Sequence, residues 1–258
     1  MQTALTIAGS DSSGGAGIQA DLKTFAAHGV FGMSAITAIT AQNTLGVHAV
    51  ASVAPDIVAA QIDAVVSDIG ADATKIGMLG NADVVRVVAA AVRRHGLPNL
   101  VLDTVMVAKS GARLLEPAAV TVLAAELLPL AVVVTPNVPE AEALTGLRIR
   151  SVADAHATAA RLVSMGARAA VVKGGHLEGP PVDVLHDGRS SFELHAERIP
   201  GSHTHGTGCT FSAAIAARLA LGDALDAAVR AAKAYVTRAI AQAPGLGRGH
   251  GPLRHDPS

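Results

Sequence analysis

The segment His205-Gly-Thr-Gly-Cys-Thr-Phe-Ser-Ala-Ala-Ile-Ala-Ala217 sets Gly206, Thr207 and Gly208 directly ahead of an alanine-rich helical stretch. Free N–H groups at such a helix start, reinforced by roughly half a positive charge from the aligned peptide dipoles, form an anion site. The same position predicts a Cys209 thiol depressed toward thiolate, a functional rather than merely buried cysteine. A second glycine loop, Gly9-Ser-Asp-Ser-Ser-Gly-Gly-Ala-Gly17, follows a short apolar run. It matches neither phosphate-binding fingerprint: Gly14 is followed by Gly15 and Ala16 instead of Lys-Ser or Lys-Thr, and the Rossmann spacing is missing. Its glycines still permit close backbone approach to a ligand.

Phosphoryl transfer needs positioning, a metal that spreads phosphate charge, cationic or N–H donors at the oxygens, and a base near the accepting hydroxyl. Asp103, and Glu140 in Pro136-Asn-Val-Pro-Glu140, can offer oxygens to Mg2+ directly or through water. Lys173, ahead of Gly174 and Gly175, can reach a phosphate. Simpler roles compete: Asn137 as a helix N-cap, Glu140 as a partner of the helix dipole, Lys173 as a snorkelling side chain. The histidines form no HExxH or other metal spacing; His203-Thr-His205 is their one close pair, and most read as surface or loop residues. Nor does a GxSxG motif support a hydrolase.

These residues share a location. Gly9–Gly17, Gln42, Lys75, Asp103, Asn137 with Glu140, and Lys173–His176 each fall at or just after the C-terminal end of an apolar run that reads as a strand. In an open parallel sheet such ends form one edge, where ligands bind. Strands are expected over Ala4–Ala8, Met33–Thr40, Thr74–Met78, Leu100–Asp103, Ala131–Val134 and Ala169–Lys173. Between them apolar residues recur at helical spacing, as in Ile57, Val58, Ile62, Val65, Val66 and Ile69, which predicts βαβ units and a sheet covered on both faces. Val182–Leu185 and Phe192–Ala196 flank an Asp-Gly turn and predict an antiparallel edge hairpin. Helices over about 208–221 and 224–243 close the chain, the second capped by Asp223. The reading is one α/β domain over 1–258, with a Gly/Pro-rich tail from about 244 that frays or folds over the surface.

Composition narrows the functions. The 258 residues carry 20 basic and 21 acidic side chains, a net charge of −1, which excludes a basic nucleic-acid clamp. Aromatic residues make up 2% of the chain, too few for a base-stacking platform. A lone cysteine excludes an intramolecular disulfide and predicts a reducing, cytoplasmic setting. The N-terminal apolar run, about 6 residues with no basic flank, does not read as a signal peptide. The most apolar stretch, Ala118 to Val134, is interrupted by Thr121, Glu126 and Pro129 and is too short for a membrane span.

Seven blocks together resemble bacterial hydroxymethylpyrimidine/phosphomethylpyrimidine kinases of thiamine synthesis, in the ribokinase-like superfamily. They are AGSDSSGGAGIQADLKT (8–24), TAITAQNT (37–44), KIGML (75–79), LDTVMVAKSG (102–111), TPNVPEAEAL (135–144), VKGGH (172–176) and HGTGCT (205–210), and GRGHGP (247–252) resembles the usual ending. The resemblance implies a three-layer αβα sandwich with a mainly parallel sheet, ATP and Mg2+, and a homodimer. It also implies two successive phosphorylations, of the pyrimidine's hydroxymethyl oxygen and then of the monophosphate. Gln42 would bond the aminopyrimidine edge, its amide offering both donor and acceptor, with Gly9, Asp21, Met78 and Val105 lining the ring pocket. Asp103 and Glu140 would serve the metal, Asn137 and Lys173 the phosphates, and Gly206, Thr207 and Gly208 the anion hole. Cys209 would be the base; sugar kinases of the wider superfamily carry Asp there. The rival readings are a pyridoxal kinase of the same cysteine-bearing branch and a non-catalytic pyrimidine-binding module.

Overall fold

The layers follow from alternation along the central strands. In β1 (Thr3–Ala8), Leu5 and Ile7 enter one apolar cluster while Ala4 enters another on the opposite side. Leu100 and Leu102 against Val101 in β6 (Leu100–Leu102), and Ala170 and Val172 against Val171 in β8 (Ala170–Val172), repeat the pattern. A period of two with apolar residues on both faces requires cover on both faces. The computed structural model describes residues 1–108, 110–177 and 179–257. Lys109, within one of the resembling blocks, lies outside them.

The remaining strands are β2 (Phe31–Ile36), β3 (Ala38–Asn43), β4 (Gly46–Ser52), β5 (Ala73–Ile76), β7 (Val133–Val134), β9 (Asp183–His186) and β10 (Ser191–Leu194). An eight-stranded sheet runs β10-β9-β8-β7-β6-β5-β1-β2, parallel from β2 to β8 and antiparallel where β9 and β10 form the expected edge hairpin. On one face lie α1 (Gly17–Ala27), α7 (Thr207–Ala220) and α8 (Leu225–Ala241). The other carries α2 (Pro55–Asp68), α3 (Ala82–His95), α4 (Pro117–Glu126), α5 (Val138–Thr145) and α6 (Val152–Ser164). The expected three-layer αβα arrangement is thus present. Helix α7 is buried nearly all round, and Ala213, Ala214, Ala216 and Ala217 let it sit close to both sheet and neighbours.

Two expectations need correction. Met33–Thr40 is not one strand. Thr37 leaves the sheet, its hydroxyl donating to Met78 O at 2.6 Å and its N–H to Ala8 O at 3.1 Å, and β3 then pairs with β4 in a separate two-stranded sheet. The turn between them is closed by Asn43 Oδ1, which accepts from the Leu45 and Gly46 N–H groups. Asp223 does not cap α8, whose cap position is Ala224. Its carboxylate is drawn to Arg218 at 2.6 Å, a closer charge than a helix start offers.

The tail folds over the surface. Leu253 is 2% exposed, Tyr235 donates its hydroxyl to His255 O, and His255 Nε2 lies 3.2 Å from Thr210 Oγ1. Burial, with Lys23 nearby, pushes the His255 imidazole from 6.5 down to about 4. A released tail therefore binds more protons than a docked one between these values, so docking weakens as pH falls through that window. Amide exchange at Arg254, whose N–H donates to Ala239 O at 3.1 Å, corrected for intrinsic rate, is expected to speed up from pH 6.5 to pH 4 ahead of the core strands. Protection that stays level relative to the core contradicts this.

Candidate active site

The C-terminal ends of β1, β5, β6, β7 and β8 open onto one cavity of about 1500 Å3. Gly9, Gln42, Met78 and Val105 all line it. So do Asp103, Lys173, Cys209 and the Gly206–Gly208 loop, together with Val236, Thr237 and Ile240 of α8.

The anion loop is built by glycine where nothing else fits. Gly206 has φ +81°, and a Cβ there would stand 1.8 Å from Gly15 O, so the two glycine loops touch through their backbones. At Gly208 a Cβ would meet Lys173 Nζ at 3.2 Å and Asp103 Oδ2 at 3.8 Å. The missing side chain leaves these two charges at the mouth of α7, where its free N–H groups point.

Asp103 joins the sheet edge to this helix. Lys173 Nζ donates to its Oδ1 at 3.1 Å, Ser212 Oγ to its Oδ2 at 3.2 Å and Thr135 Oγ1 to its Oδ1 at 3.4 Å. Burial pushes the carboxyl up, but Lys173 and Lys75 outweigh it and hold Asp103 below the usual range. Lys173, also disfavoured by burial, is held protonated by Asp103 and Glu140. Asn137 and Glu140 do take the capping roles that competed with chemistry: Asn137 Oδ1 accepts from Glu140 N–H at 3.0 Å and Glu140 Oε2 from Asn137 N–H at 2.9 Å. Thr104 also donates to Oε2, and burial raises this carboxyl. The cap fixes Glu140 on the cavity wall without using Oε1.

Among the described residues no group of three His, Cys, Asp or Glu side chains could hold a metal alone. Two hard carboxylates on one wall nonetheless fit Mg2+, which is commonly held by one or two carboxylates plus substrate phosphates and water.

Two site expectations change. Asp21 does not line the ring pocket. It is fully buried behind it, accepting from Lys75 Nζ at 2.8 Å and Thr6 Oγ1 at 2.6 Å. Burial pushes the Asp21 carboxyl up while Lys75 pulls it down; the short contact, and a lysine held protonated against its own burial by Asp21, assign an ionised pair. Cys209 is not depressed: burial raises its thiol to about 11, against the pull of Lys75 and with Asp21 and Asp103 adding to the rise. Desolvation of a thiolate outweighs the helix start.

Sequence reasoning missed Asp11 and His205, whose side chains meet at 2.8 Å across 194 residues. It also missed Arg198, which donates to Leu177 O at 2.9 Å and Gly179 O at 2.8 Å and closes the loop after β8 over the cavity. Both are long-range pairings with no local pattern, although a histidine directly before an anion loop was a usable signal.

A model of the phosphomethylpyrimidine kinase family matches residues 11–254. The chain belongs to that family. It is 54% identical over 259 residues to the hydroxymethylpyrimidine/phosphomethylpyrimidine kinase of Rhizobium meliloti, covering 98% of this chain and 96% of the relative. Of solved structures, a phosphomethylpyrimidine kinase from Clostridium difficile superposes with TM-score 0.84 at 44% identity, over 93% of this chain and all of the other. An ADP complex of Bacillus subtilis pyridoxal kinase superposes with TM-score 0.93 at 42% identity, over 100% and 98%. The family's frame is thus shared with pyridoxal kinases, and the fold alone does not choose the ring. The chain is a phosphotransferase by family, and ATP is the substrate its kinase relatives imply.

Proposed function

We infer that this chain uses ATP to phosphorylate 4-amino-5-hydroxymethyl-2-methylpyrimidine and then phosphorylates the monophosphate to the diphosphate, in thiamine biosynthesis. One observation carries the reading. A single cavity is lined by Gln42, Cys209 and the Gly206–Gly208 loop, inside a family whose members act at this chemistry. The domain is the whole of 1–258 and the setting cytoplasmic. A homodimer is supported by exposed apolar residues on the β3–β4 hairpin, where Ile39, Leu45 and Val50 are 58%, 56% and 47% exposed.

Each group then has a task. Gln42 reads the ring edge and Gly9, Met78 and Val105 flank it. The N–H groups at the start of α7 and the Lys173 ammonium face the charge that develops on the transferred phosphoryl group. Asp103 and Glu140 would hold Mg2+, which supplies charge neutralisation at the phosphates when bound. Cys209 takes the proton of the accepting hydroxyl in the first step. In the second step the acceptor is a phosphate oxygen already ionised near neutral pH, so orientation matters more than a base.

Pyridoxal phosphorylation is the second reading, favoured by the close superposition on a pyridoxal kinase. The two are separated by kcat/KM for each ring with ATP and Mg2+: the pyrimidine is expected to be the better substrate, and a preference for pyridoxal overturns the reading. Gln42→Leu is expected to weaken pyrimidine binding by about 1–3 kcal/mol through an unpaired ring edge, and an unaltered KM would move recognition elsewhere.

A further inference from the structure

The Gln42 amide meets a histidine that the reaction above does not use. His205 Nε2 lies 2.8 Å from Asp11 Oδ2 and 3.3 Å from Gln42 Nε2. Asp11 is 1% exposed, and it also accepts from the Ser13 N–H and hydroxyl on Oδ1 and from the Gly15 and Ala16 N–H groups on Oδ2. A buried carboxyl so surrounded by donors is ionised. Burial alone would raise it, but His205 and Ser13 override that and leave it at about 2. The contact with this carboxylate therefore requires a proton on His205 Nε2. A nitrogen carrying that proton has no lone pair left for an amide N–H.

The conflict has one resolution. Amide oxygen and nitrogen exchange places by half a turn, and only the hydrogen-bond network distinguishes the two arrangements. With Oε1 toward His205, the imidazole N–H is shared between Asp11 and Gln42, and the amide NH2 takes the side facing Thr40 Oγ1, where the separation is 3.4 Å. Thr40 Oγ1 is free to accept, because its own proton goes to Ser10 O at 2.8 Å. The opposite orientation sets two donors against each other.

We propose that His205 is a positioning and specificity-determining residue: its Nε2 proton, held by Asp11, fixes the Gln42 carboxamide with oxygen toward His205 and NH2 toward Thr40. That fixes the order of acceptor and donor offered to a ring. A heteroaromatic edge with a donor beside an acceptor, as in an aminopyrimidine, meets this order in one orientation only. Turning the amide over would turn the ring over as well, carrying its hydroxymethyl group away from Cys209. The ring of His205 is itself built in. Its backbone N–H donates to Gly251 O at 3.1 Å, and a Cβ on Gly15 would stand 2.7 Å from its Cδ2. Only the naming of the ring rests on the functional reading.

The test reads the histidine first. In the 15N-labelled full-length protein, imidazole nitrogen shifts are expected to place a proton on His205 Nε2 without any substrate. An unprotonated Nε2 overturns the proposal, and this measurement needs no variant. In Asp11→Asn the new amide can donate to Nε2, which frees Gln42 to take either orientation. For that variant kcat/KM for hydroxymethylpyrimidine is expected to fall about tenfold or more, with KM for ATP within about twofold of the wild type. A folded Asp11→Asn with unchanged kcat/KM overturns the proposal. So does a parallel rise in KM for ATP, which would mark general damage to the glycine loops. If the wild type does not phosphorylate the pyrimidine, the functional reading falls while the substrate-free histidine spectrum still decides the orientation of Gln42.

Discussion

Cys209→Ala lowers kcat for the first phosphorylation by about 10² or more, while the protein stays folded and still binds its ring substrate. Loss of a general base has this size of effect, and Cys209 lines the same cavity as Gln42 and the Gly206–Gly208 loop. The two steps respond differently. The second transfers to an oxygen with no proton to lose, so its rate falls much less in the same variant. The pH profile supplies a further sign. Burial holds the thiol at about 11, so the thiolate fraction grows tenfold per unit below that value. In the wild type kcat/KM for the first step therefore climbs from about pH 7 to 9, and Cys209→Ala flattens the climb. Equal loss in both steps, or turnover unchanged in the variant, removes Cys209 from proton transfer.

Lys75→Met costs about 3–5 kcal/mol of stability, because it removes the counter-charge of Asp21 where neither side chain is exposed and leaves it only the Thr6 hydroxyl. At roughly 2–4 °C per kcal/mol for a chain of this size, the melting temperature falls by roughly 6–20 °C. The pair is replaceable as a pair, so Lys75→Met combined with Asp21→Leu recovers most of the loss. Thermal unfolding of the single and double variants checks both statements. A single variant within about 1 kcal/mol of the wild type, or a double variant worse than the single, contradicts the ionised pair.

The parts of the site that sequence discloses are those written locally. Apolar runs ending in Asp103, Lys173 or Gly9 announce strand ends on one edge, and glycine beside cysteine ahead of an alanine-rich run announces the anion loop. What it conceals depends on partners far along the chain. Thr37 looks like any β-branched strand residue; only the carbonyls of Ala8 and Met78 draw it out of the sheet and release β3. Asp21 sits in a block that implies a ring-pocket role until Lys75 is placed against it, 54 positions later. Asp223 has the right type and place for a cap, and Arg218 diverts it. The Cys209 thiol was misjudged because a helix start is visible in sequence whereas burial of the thiolate is not.

The central claim is that one site performs two phosphorylations in succession. Purified protein is incubated with hydroxymethylpyrimidine, ATP and Mg2+, quenched at intervals, and the mono- and diphosphates are resolved. The account predicts monophosphate first, then diphosphate at its expense, with ATP consumed for each transfer. Product that stops at the monophosphate, or no pyrimidine product beside rapid phosphorylation of pyridoxal, contradicts it.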